Sequence, residues 1–186
     1  GTTFTTPSIA TTTTFYVEPT IGGSSFNVGL ASDAAGNLSS LSFYGMYFAS
    51  TSAATIQSVD IYPSTAGTLN VTLEDDTNTV IDTRTFTIAA GDIINTIKKT
   101  LALGFNIPAG ATGWSINYDL AIYRGAGTYA YPYSSNGFTI TGNTIDGDNI
   151  TGGSRYYFYN WNVSTGCNGT RSAVVATVTA PPALSI

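Results

Sequence analysis

The residue types best suited to chemistry here fall in one stretch, "YRGAGTYAYPY", residues 123–133. Tyr123, Tyr129, Tyr131 and Tyr133 accompany Arg124 among glycines, where a strand should give way to a loop. Sugar rings present flat C–H faces that pack on aromatic rings, and their hydroxyls need fixed donors and acceptors. Tyrosine offers both in one side chain, and arginine adds a rigid fork of donors. Pro132 limits regular strand pairing, which favours a shaped loop. The expected ligand-binding set is therefore Tyr123, Arg124, Tyr129, Tyr131 and Tyr133. The competing reading is that alternate tyrosines are strand residues whose inner members cap a core.

Carboxylates are few. Asp146 and Asp148 in "TIDGDNITGG" have the spacing of an oxygen-ligand loop, although the third acid and terminal Glu of an EF-hand are missing. Two readings stay open, a polar turn and a looser loop braced by structural calcium with Asp146 or Asp148 among the ligands. Asp75 and Asp76 sit in "EDDTN", where Asp bonds local amides of a turn. A second aromatic run, "RYYFYNWNV" at 155–163, reads as packing: Tyr157, Tyr159, Trp161 and Val163 share one face, and Tyr156 and Phe158 share the other with Asn160 and Asn162.

Composition excludes much else. The chain of 186 residues contains no histidine, which removes the usual general base and every Ser-His or Cys-His pair. Cys167 is the single cysteine, so no internal disulfide and no thiolate cluster can form, and a buried, inert thiol is expected. Charge is sparse, with six basic and eleven acidic residues, which leaves no electrostatic footprint for nucleic acid or an anionic membrane. No run of eighteen apolar residues exists to span a bilayer as a helix. A glycosidase needs only two carboxylates, but nothing in the spacing makes two of them converge, and no enzyme is expected. The segment carries no signal peptide, and its start in mid-pattern reads as a piece cut from a longer secreted chain.

The elements that must position these residues have period two. Leu69, Val71 and Leu73 alternate with polar partners, as do Leu101, Leu103, Phe105 and Ile107, and then Trp114, Ile116, Tyr118, Leu120 and Ile122. Such alternation marks half-buried strands. Turn signals between them, among them "AAGN", "STAG", "DDTN" and "SSNG", recur at the spacing of an all-β sandwich. The window "GDIINTIKKT" is read as Ile-rich strand over a helical turn. Helix should be close to nil.

The two ends read as halves of one unit. "FTTPSIATTTTFYVEPT" and "GCNGTRSAVVATVTAPP" together resemble the small immunoglobulin-like modules of secreted and surface proteins of Bacteroidetes, found in large adhesins and type IX-secreted proteins. In those modules the corresponding strands flank a short hairpin. The resemblance implies an Ig-like frame of residues 1–20 plus 164–186, with residues 21–163 inserted as a jelly-roll-like antiparallel β-sandwich. "SVDIYPSTAGTLNVTLEDDTNTVIDTRTFTI", "LGFNIPAG" and "LAIYRGAGTYAYPY" also resemble a recurrent secreted module. A secreted or cell-surface location follows from the same resemblance.

Two functions are expected from this reading. One is a noncatalytic carbohydrate-binding module that holds a polysaccharide or glycan. The other is a structural or adhesive Ig-like spacer in a long filament, whose partners are neighbouring modules of the same parent chain. The first requires exposed aromatics with polar neighbours, and the second requires the tyrosines to be buried or at a module interface.

Overall fold

The computed structural model describes residues 9–17, 20–21, 24–33, 37–39, 42–94, 97–125, 127–168 and 172–178. The protein is all-β and antiparallel. It divides into two compact units, one of Gly1–Ile21 with Asn168–Ile186 and the other of Gly22–Cys167. In chain order the strands are β1 (Thr13–Val17), β2 (Thr20–Ile21), β3 (Ser25–Val28), β4 (Asn37–Ser39), β5 (Tyr44–Ser50), β6 (Ala54–Pro63), β7 (Gly67–Glu74) and β8 (Val80–Ile88). They continue with β9 (Lys99–Ile107), β10 (Ala111–Tyr118), β11 (Ile122–Gly125), β12 (Tyr133–Ser135), β13 (Phe138–Asn143), β14 (Tyr159–Thr165), β15 (Cys167–Asn168) and β16 (Ser172–Ala176).

In the smaller unit β1 pairs antiparallel with β16, setting Thr13 opposite Ala176 and Val17 opposite Ser172. The Thr12 hydroxyl accepts the Val178 amide at 3.3 Å. The side chain of Cys167 lies outside the described residues.

The larger unit is a sandwich. Its first sheet has the order β12-β13-β5-β10-β7-β8, and its second runs β3-β14-β6-β11-β4, with β9 also paired to β6. Period-two alternation builds the core: Leu69, Val71 and Leu73 of β7 and Leu101, Leu103, Phe105 and Ile107 of β9 are all buried. Rings join the layers. Phe48 of β5 stacks on Phe138 of β13 at 5.2 Å and meets Trp161 of β14 edge-on at 6.0 Å, and such ring pairs add to what area burial alone supplies. The stretch Trp114–Ile122 is not one continuous strand. β10 ends at Tyr118 and the chain bends at Asp119, whose carboxylate Oδ1 accepts the Asn70 amide at 2.7 Å.

The expected strand over "GDIINTIKKT" is corrected in its first half. Ala90–Asp92 form a short 3-10 turn and strand begins only at Lys99. Asp92 closes that turn, accepting the Ala89 amide at 2.9 Å and pairing with Lys99 at 2.5 Å. Ile94 and Ile97, whose β-branched side chains argued for a strand, are exposed.

Candidate functional site

The tyrosines of the 123–133 stretch divide. Tyr123 and Arg124 lie half-buried on β11, where Tyr123 pairs with Tyr62, and the Arg124 guanidinium donates to the Gly125 carbonyl at 3.1 Å. Tyr129 and Tyr131 are core residues, only 5% and 3% exposed. Their rings, with half-buried Tyr133, surround the fully buried Tyr156 at centroid distances of 5.3, 5.8 and 5.5 Å. Stacking of a sugar on Tyr129 or Tyr131 is therefore corrected, because the faces expected to receive a ligand already hold another ring.

The hydroxyls of this cluster serve backbone. Residues 155–158 enter the core without forming a strand, and buried amides and carbonyls need partners. The Tyr131 hydroxyl donates to the Arg155 carbonyl at 2.7 Å and the Tyr159 hydroxyl to the Tyr156 carbonyl at 3.1 Å. The Trp161 indole N–H donates to the Phe158 carbonyl at 2.8 Å. Gly125 permits the fit, since a Cβ there would stand 1.7 Å from the Tyr129 hydroxyl. Burial pushes the Tyr129 phenol up to about 12 and raises those of Tyr131, Tyr156 and Tyr159 as well, because a phenolate loses hydration there.

The candidate calcium ligands are engaged with protein donors. Asp146 accepts from the Asn143 amide group at 2.9 Å and the Ser154 backbone at 2.7 Å, and it faces Arg155 at 3.6 Å. Asp148 accepts from the Thr141 hydroxyl and from the Asn149 backbone at 2.9 Å. Among the described residues no three His, Cys, Asp or Glu side chains group so as to hold a metal ion. Two acids bonded to separate donor sets do not fit a calcium cage, which takes six to eight oxygens.

A different place has the form of a binding site. The outward face of the first sheet carries a groove of about 560 Å³. Register builds it in rows across β5, β10, β7 and β8. Ser115 pairs with Tyr47 on one side and Glu74 on the other. In the next row Asn117 lies between Gly45 and Thr72, and Thr72 faces Thr83. Beyond them Asp119 lies against Asn70. Gly45 is required at this spot, because a Cβ would come within 2.1 Å of both the Asn117 amide oxygen and the Ile116 carbonyl.

The polar groups of the groove are held in place. Both Asp119 oxygens accept from Asn70, one from its backbone and one from its amide group, each at 2.7 Å. The Asn70 amide oxygen in turn accepts the Thr85 hydroxyl at 2.7 Å. The Asn117 amide donates to the Ser115 hydroxyl at 2.9 Å, and Thr72 donates to Glu74 at 3.1 Å.

Phe43 stands at the rim of this groove with 79% of its surface exposed and φ at 70°. A bulky residue in the left-handed region is an outlier. Its amide donates to the Tyr118 carbonyl at 2.7 Å, so the backbone is pinned while the ring projects into solvent. No family model, curated protein or solved structure matches the chain.

Sequence reasoning missed Phe43, Tyr47, Asn70, Glu74, Asn117 and Asp119 as a group. The available signal was the polar phase of the alternating strands, which here carries amides, hydroxyls and a tyrosine in place of the usual lysines.

Proposed function

We propose that this chain is a noncatalytic glycan-binding module of a secreted or cell-surface protein, with its site in the groove over β5, β10 and β7. The observation that carries this reading is Phe43: an exposed ring, held at a strained backbone position, over a groove of amides and hydroxyls. Strained residues collect where function requires them. Phe43 immediately precedes β5 and Tyr47 lies within it, four residues on and up to about 13 Å away. That span exceeds one pyranose ring, so the ligand is an oligosaccharide or a polysaccharide segment. Rings at two points supply stacking platforms, and the prearranged amide groups of Asn117 and Asn70 line the groove between them and meet hydroxyls without reordering.

The groove carboxylates favour binding over hydrolysis. Asp119 is tied to Asn70, four positions along β7 from Glu74 and hence about 13 Å away along the strand. Glycosidase pairs stand about 5–9.5 Å apart.

A glycan array followed by titration calorimetry tests the reading. Phe43→Ala and Tyr47→Ala should each weaken binding about tenfold, the value of one lost stacking contact. An array without a ligand, or unchanged affinity in both variants, would overturn it. The burial of Tyr129 and Tyr131 keeps the structural spacer as the second reading, and it would take over on that outcome.

A further inference from the structure

The charge of the groove is one-sided. Its lining includes the carboxylates Glu74 and Asp119 and neither lysine nor arginine. Asp119 is spent on Asn70, which takes both oxygens. Glu74 is not. Its Oε1 accepts from Thr72, and among the described residues no donor reaches its Oε2. Register places Glu74 two strands from Tyr47 with Ser115 between them, a separation of about 9–10 Å. A sugar stacked on Tyr47 thus extends one edge over Ser115 toward the open oxygen of Glu74.

We propose that Glu74 sets the class of glycan: the groove selects oligosaccharides that carry a protonated amine and rejects those that carry carboxylate or sulfate. This inference rests on the groove being a glycan site. An ammonium beside Glu74 makes a charge-assisted hydrogen bond, roughly twice as strong as one between neutral groups. A neutral hydroxyl makes the weaker bond. A uronate or sulfate group would bring a second negative charge to the same place, with no cation in the lining to offset it, and like charges at this range repel.

The test titrates four tetrasaccharides into the protein in slightly acidic, low-salt buffer that keeps the amine protonated: glucosamine, N-acetylglucosamine, glucose and galacturonate oligomers. The glucosamine oligomer should bind about tenfold tighter than the two neutral ones, the step from a neutral to a charge-assisted bond, and galacturonate should not bind. Added salt should weaken the glucosamine oligomer alone. In Glu74→Gln the amine advantage over the neutral oligomers should fall to within about twofold. Equal wild-type affinity for amine and neutral oligomers, an unchanged preference in Glu74→Gln, or tight galacturonate binding would each overturn the proposal. If neutral oligomers bind and Phe43→Ala loses them while no amine preference exists, the charge selection falls and the glycan site stands. If no oligomer binds, both fall.

Discussion

The Tyr131 phenol and the Arg155 backbone are joined across 24 residues of chain, hydroxyl to carbonyl, at 2.7 Å. The ring is buried against Tyr156 and Tyr133, so removing the hydroxyl alters one bond and little packing. Tyr131→Phe should therefore cost about 1 kcal/mol, the value of one net hydrogen bond, since the Asn143 amide still donates to the Arg155 carbonyl at 3.4 Å. Thermal or denaturant unfolding reads this directly, as a fall of a few degrees in the midpoint. An unchanged midpoint would mean that the hydroxyl does not hold the 155–158 segment.

The same cluster makes the protein sensitive to alkali. Tyr129 is raised by burial to about 12, with Tyr131, Tyr156 and Tyr159 raised too, from an ordinary value of 10.0. A phenol whose folded value lies above its unfolded value contributes stability that is complete below pH 10.0 and lost as pH rises through the folded value. Stability should be flat up to about pH 10 and then decline, since only the unfolded chain releases these protons. Tyrosinate absorbance should show the signal of these four phenols appearing only with unfolding. Titration of all twelve tyrosines in a single reversible step would contradict the buried cluster.

How far the sequence reaches can be judged on particular residues. Leu101, Leu103, Phe105 and Ile107 were legible because burial on one sheet face imposes period two, and nothing distant interferes. Tyr129 and Tyr131 stood between ligand contact and core packing, and the structure takes the second, because a tyrosine in sequence has the same chemistry whether its ring is a platform or a core member. Their burial is decided by Tyr156, some 25 residues later. Ile94 and Ile97 signalled strand by propensity, but the Asp92 carboxylate captures the Ala89 amide and closes a turn instead. The groove was hidden for a topological reason. Tyr47, Ser115 and Glu74 belong to β5, β10 and β7, which are neighbours only because the sheet order is β5-β10-β7, an order that alternation does not encode.

Acid should act chiefly through Asp60. Burial opposes its charge, but hydrogen bonds from Lys98, Thr100 and Asn160 and the lysine charge outweigh that and hold the carboxyl below its ordinary 3.8. The ion pair to Lys98 spans 2.8 Å, with the Asp60 side chain 6% exposed. A depressed carboxyl contributes stability that is present above the unfolded value and lost as pH falls through the folded one. The loss should begin near pH 3.8 and continue below it. Asp60→Asn should cost about 1–3 kcal/mol at neutral pH, since Lys98 loses its counter-charge but keeps access to water. The cost should shrink in acid, where wild type loses the same interaction. A cost independent of pH would show that the ion pair contributes nothing.

Phe43 allows stability and binding to be separated. At φ 70° a phenylalanine is strained, and with 79% of its surface exposed its ring gains little from packing in the free protein. Asparagine tolerates the left-handed region better than bulky side chains do, and, unlike glycine, it does not add backbone freedom to the unfolded chain. Phe43→Asn should therefore leave stability unchanged or raise it by about 0.5–1 kcal/mol, read as an equal or higher unfolding midpoint. The same variant should lose about tenfold in glycan affinity with the stacking ring gone. Such a trade, strain kept where the fold does better without it, is the mark of a residue retained for binding. A variant that unfolds earlier than wild type would show that the ring supports the fold, and the case for Phe43 as the anchor of the site would be lost.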